Sequence, residues 1–129
     1  MSANELQTLT QRFADAFDQR DLTPAIEMLS EDVEVFDHVP YRFDGKQLFV
    51  KYLNEAGGGI VSASFGFRQP SFGVYGDTVG IVNAYGSFRG VTKDGKVLAV
   101  YDRGTLVFVK QGGQWKIVSA HFSAMPQAL

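Results

Sequence analysis

The chain has 129 residues, 45% of them apolar and 20% charged, with a net charge of −2 and no cysteine. That suits a single domain spanning 1–129, with room for one core, and excludes a disordered chain. It also gives no electrostatic reason for a nucleic-acid or anionic-membrane partner, and it excludes disulfides, thiolate nucleophiles and zinc–thiolate sites. Met1-Ser2-Ala3-Asn4-Glu5 lacks the basic start and apolar run of a secretory leader. No stretch approaches the roughly 18 apolar residues of a membrane span, so a soluble, cytoplasmic protein is expected.

Ser2 and Glu5 have capping-box spacing, and Leu6, Leu9, Phe13 and Phe17 then recur at helical spacing, which predicts a helix ending near Arg20. Thr23-Pro24 predicts a second helix, with Thr as cap and Pro in the first position, and Ile26 and Leu29 as its apolar face. Val33-Glu34-Val35-Phe36-Asp37 alternates like a strand, which puts a carboxylate on the face of Val33 and Val35. After Pro40, Asp44-Gly45 turns the chain into a third helix with Leu48, Phe49, Tyr52, Leu53 and Ala56 on its apolar side. From Ile60 on, Gly76-Asp77, Asp94-Gly95 and Gly112-Gly113 divide four long strands, 60–75, 78–91, 96–110 and 114–125. Pro70 marks a bulge or an edge in the first of them.

Helices followed by a long antiparallel meander define an α+β domain in which the curved sheet wraps around the helices. In the last strand, strict alternation puts Trp115, Ile117, Ser119, His121 and Ser123 on one face, read as the pocket side. Val118, Ala120 and Phe122 fall on the other, with Val82, Ala84, Phe88, Leu98, Val100, Leu106 and Phe108 of the neighbouring strands. With no helix left to cover that apolar surface, a homodimer through the sheet face is expected.

The order of these elements, with Arg103-Gly104-Thr105-Leu106 and Gly113-Gln114-Trp115-Lys116-Ile117-Val118 followed by His121 and Ser123, resembles the nuclear-transport-factor-2-like superfamily. Within it the SnoaL-like and calcium/calmodulin-dependent kinase association-domain branches are the most similar. The resemblance implies a cone-shaped fold, with the Arg and the His pointing into its pocket. In the ketosteroid isomerases and polyketide cyclases of the superfamily, a general base sits near the end of the first strand. Val35-Phe36-Asp37-His38-Val39, followed by Gly45, is similar, so the resemblance puts Asp37 in that place. Where those isomerases carry an oxyanion-donating Tyr on the first helix, this chain has Phe13, which argues against steroid isomerisation.

Asp37 and His121 are thus the candidate catalytic residues, the first as a general base with its pKa raised by burial, the second as acid, base or hydrogen-bond donor. A strand-end carboxylate paired with Arg103, and a structural His bonded to the next strand, are the plain alternatives. Arg103, His38, Tyr41, Tyr85, Ser119 and Ser123 are the candidate substrate-binding residues. Their expected partner is a small apolar ligand bearing a carboxylate or carbonyl. No metal-ligand spacing, phosphate loop or dinucleotide fingerprint is present, so neither a metal nor a cofactor is expected. Two functions remain open: proton transfer beside a carbonyl, as in isomerases, cyclases and dehydratases, and a non-catalytic ligand-binding or association domain.

Overall fold

The structure, a computed structural model, describes residues 2–127. Helix α1 (Ala3–Asp18) starts at Ser2, whose Oγ accepts the Glu5 N–H at 3.1 Å. Its stripe buries Leu6 and Phe13 and packs Leu9 and Phe17 partly against the core. Helix α2 (Thr23–Met28) carries Pro24 in its first turn, but Thr23 lies inside the helix and does not cap it. The Thr23 N–H donates instead to the Asp21 carboxylate. Strand β1 (Leu29–Phe36) is followed by β2 (Arg42–Asp44), a three-residue strand with too little pattern to read from sequence. Helix α3 (Lys46–Gly57) follows Gly45, whose φ of 105° suits glycine alone. Leu48 of the expected apolar face points to solvent, while Phe49 is buried.

The meander forms close to the expected bounds, as β3 (Ile60–Tyr75), β4 (Val79–Thr92), β5 (Val97–Gln111) and β6 (Gln114–Ala124). Gly112 and Gly113, both at positive φ, make the two-residue turn between β5 and β6. The sheet order is β2-β1-β6-β5-β4-β3. Strand β1 pairs parallel to β6, so the six-stranded sheet is mixed and not wholly antiparallel. That pairing joins segments more than eighty residues apart in sequence, which local patterning does not encode.

Among the register shifts of the sheet, one in β3 and one in β6 bear on which side chains face the helices. In β3, Arg68 pairs with Tyr85 and Ser71 with Asn83, so one extra residue is absorbed around Gln69-Pro70. Phe67 before it and Phe72 after it therefore both pack on the core. In β6, Ile117 opposes Phe108 while Ser119 opposes Val107, which leaves Val118 extra. The alternation expected along the last strand breaks there. Trp115 and Ile117 pack on the core, Ser119, His121 and Ser123 point outward, and Ala120 and Phe122 turn in.

The expected dimer surface is corrected accordingly. Val82, Leu106, Phe108, Ala120 and Phe122 are buried within the chain, against the helices. The outer face carries Ile81, Asn83, Tyr85, Tyr101, Arg103, Thr105 and His121. Burial of large side chains such as Phe108 and Leu6 stabilises the fold by about 2–3 kcal/mol each.

Candidate active site

The inner side of the sheet, together with α1 and α3, lines a partly open cavity of about 500 Å³. Its walls are aromatic: Phe13 and Phe17 come from α1, Phe49 from α3, Phe65 from β3, Phe88 from β4 and Phe122 from β6. Phe13 and Phe67 stack with centroids 6.3 Å apart, and Phe65 meets Phe67 edge-on at 5.1 Å. Such a lining suits an apolar body.

Asp37, His38 and Asp102 form the polar cluster in this wall. Asp37 lies one residue past β1 and keeps the facing of Val33 and Val35, so the strand that supplies two core valines also aims a carboxylate inward. Its Oδ1 accepts the backbone N–H of His38 at 2.8 Å. Burial pushes its pKa up, with a smaller push from the neighbouring Asp102 charge; the His38 N–H bond and the His38 ring oppose the shift.

The His38 ring turns to Asp102, with Nε2 2.9 Å from Oδ2, and lies 3.9 Å from Asp37 Oδ1. Asp102 sits on β5 with 8% of its surface exposed, and its Oδ1 is buried with no hydrogen-bond partner among the described residues. The cross-strand neighbour of Asp102 is Gly86, and any β-carbon there would collide with that same Oδ1. Glycine at 86 thus makes the space in which the Asp102 carboxyl can lie and hold the imidazole. Tyr52 of α3 also lines the cavity, and burial, with the Asp37 charge next in size, pushes its hydroxyl pKa up.

Chemically this is a base of raised pKa beside an imidazole whose orientation is set by a second carboxylate. Among the described residues, no three His, Asp or Glu side chains are grouped to hold a metal ion.

The expected site residues divide between two places. Asp37 and His38 line the aromatic cavity. Tyr85, Arg103, His121 and Ser123 line a separate, open groove on the outer sheet face, beside Asn83 and Thr105. Ser119 is exposed on that outer face, and Tyr41 is exposed with its ring 5.3 Å from Phe43. The expectation of one pocket holding Asp37, Arg103 and His121 is therefore corrected. The bulge at Val118 turns His121 outward, where its ring packs 5.2 Å from Phe36. Arg103 belongs to the outward alternation of β5.

Asp102 and Tyr52 were missed in the sequence. For Asp102 a signal existed: it shares strand parity with Val100, Leu106 and Phe108, so it is a lone acid on an apolar face, as Asp37 is. Tyr52 reads as one more apolar residue on a helix, and nothing local separates it from its neighbours.

With the geometry in place, comparison with known proteins gives a consistent picture. The chain resembles a nuclear transport factor 2-like protein of unknown function from Pseudomonas putida, with a TM-score of 0.83, 22% identity, and coverage of 95% of this chain and 86% of that one. It resembles the association domain of C. elegans CaMKII with a TM-score of 0.75 and 15% identity, covering 94% of each chain. A provisionally named scytalone dehydratase from Novosphingobium aromaticivorans aligns with a TM-score of 0.83 and 16% identity, covering 94% of this chain and 82% of that one. At such identities these likenesses speak for the fold. No curated protein matches the sequence. A sequence model of the SnoaL-like domain matches residues 6–127, so the chain belongs to the SnoaL-like domain family.

Proposed function

We propose that the chain is a cytoplasmic small-molecule enzyme that moves a proton beside a carbonyl, in an isomerisation, cyclisation or dehydration. One observation carries this reading: Asp37, His38 and Asp102 converge on the wall of an otherwise aromatic cavity. Asp37 takes the proton, since burial lifts its carboxyl toward a useful basicity. His38, oriented by Asp102, acts as the imidazolium: one ring N–H is held by Asp102 and the other donates to the carbonyl oxygen. The proton taken by Asp37 goes back to the substrate at a neighbouring carbon or on the leaving hydroxyl. The Phe residues hold the apolar body of the substrate. Phe13 stands on α1 where the resemblance puts the oxyanion Tyr of the isomerases, so the donor in this scheme is His38, with the Tyr52 hydroxyl as a second donor lining the cavity.

The test is deuterium exchange. Cyclic ketones incubated with the protein in heavy water should lose α-proton NMR signal, and Asp37→Asn should slow that loss about a hundredfold. Exchange at the same rate in Asp37→Asn would remove the base from the scheme.

A second reading is a non-catalytic association domain that dimerises through the sheet. It is favoured by the likeness to the CaMKII association domain and by the exposed Tyr85, Tyr101 and Val97 on the outer face. Mass in solution tests it. A dimer at micromolar concentration that Tyr101→Glu converts to a monomer supports this reading, and a wild-type monomer ends it.

A further inference from the structure

We propose that Arg20 is an anion-binding residue at the mouth of the aromatic cavity, and that the ligand is an apolar ring system carrying one acidic oxygen group, a carboxylate or a sulfonate. The inference rests on the cavity being a ligand site, but not on any turnover within it.

Arg20 is the one cation among the residues that line the cavity, whose other charged members are Asp37, His38 when protonated, and Asp102. Position matters as much as charge. Arg20 shares the rim with Leu22, Gly57, Gly58 and Ile60, where the end of α1, the end of α3 and the start of β3 meet. The acid cluster belongs to another part of the wall: Asp102 is level with Gly86 and so with Phe67, seven residues along β3 from Ile60. The cavity is thus acidic in one region and basic in another, with phenyl rings between. A ligand oriented by both would carry its anion at Arg20 and its reactive carbon at Asp37.

The local structure holds Arg20 in this place. It is one of two non-glycine residues at positive φ among those described, at 58°, just past the end of α1. That left-handed turn swings the side chain across to β3, where one Nη donates to the carbonyl of Ile60. The carbonyl fixes one edge of the guanidinium and leaves its other N–H groups to a ligand.

Nearby acids are engaged elsewhere. Asp18 accepts the backbone N–H of Phe65 at 2.8 Å, Asp21 accepts that of Thr23, and Glu55 pairs with Lys51. No carboxylate among the described residues lies within ion-pair distance of Arg20. A planar, permanently charged fork held at the edge of an apolar cavity suits an oxyanion.

Two fluorescent probes that share an anilinonaphthalene frame test this. 1-Anilinonaphthalene-8-sulfonate is an anion, and N-phenyl-1-naphthylamine is neutral. The wild type should bind the sulfonate roughly threefold to tenfold more tightly than the neutral probe in low salt. That preference should fade in 1 M salt, where screening acts within about 3 Å. Arg20→Gln should abolish the preference with neutral-probe affinity unchanged, and Arg20→Lys should keep part of it. Unchanged neutral-probe binding also shows that each variant is folded. Equal affinity of the wild type for both probes, or an undiminished preference in Arg20→Gln, would overturn the assignment of Arg20 while leaving the cavity intact. Binding of neither probe would overturn the cavity reading and this inference together.

Discussion

Asp102 and Arg103 are neighbours in β5 with opposite fates. Asp102 turns into the chain, 8% exposed, to hold His38 beside an aromatic cavity. Arg103 turns out to a groove shared with Asn83, Thr105 and His121, where Thr105 donates a hydroxyl bond to Asn83. The two faces of this sheet are thus different environments. The inner one is apolar with one buried polar cluster, where an unpaired charge is costly and burial raises the Asp37 pKa. The outer one is mixed and solvated, with aromatic side chains such as Tyr101, 53% exposed, standing among polar ones.

Substitutions along each face should sharpen this contrast. The largest effect on stability is expected at Phe108, fully buried opposite Ile117. Phe108→Ala should cost about 3–5 kcal/mol in denaturant unfolding. Next is Gly86→Ala, whose β-carbon meets the Asp102 carboxyl. It should cost about 1–3 kcal/mol and free the His38 ring from Asp102, seen as moved His38 imidazole signals by NMR. Gly86→Ala in an Asp102→Ala background should cost much less, because the obstructing carboxyl is gone. On the outer face, His121→Ala and Arg103→Ala should change monomer stability by about 0.5 kcal/mol or less and leave ketone exchange untouched. A large loss of exchange in either would return the chemistry to the outer groove.

The pH dependence follows from Asp37. Its folded pKa is raised by burial, so just above the ordinary aspartate range the native state binds more protons than the unfolded one. Stability contributed by this group is present at low pH and declines as pH rises through that window. Asp37→Asn should flatten that part of the stability–pH curve and stabilise the protein at neutral pH. An unchanged curve would mean that Asp37 is solvated. The same ionisation makes the base available, so ketone exchange should rise with pH as stability falls.

Much of this was legible in the sequence, for identifiable reasons. The turns at Gly76, Gly95 and Gly112-Gly113 and the alternation between them define the meander. Asp37 at the end of a valine-bearing strand announces a carboxylate facing the core. What misled was strict period-two counting through β6. Val118 adds one residue, and a slip of one residue moves every later side chain to the other face. Ser119, His121 and Ser123 were therefore placed in the pocket, and Phe122 outside it, when the reverse holds. The β1–β6 pairing and the approach of His38 to Asp102, 64 residues apart, depend on tertiary closure that no local pattern records.

The chain has only two histidines, one on each face of the sheet, so one spectrum reads both. The imidazole NMR signals of His38 and His121 should be followed while N-phenyl-1-naphthylamine fills the cavity, in wild type and in Asp37→Asn. The account predicts that the His38 signals move with the probe and differ in Asp37→Asn, while those of His121 hold still in both. Movement of His121 with a silent His38 would contradict it.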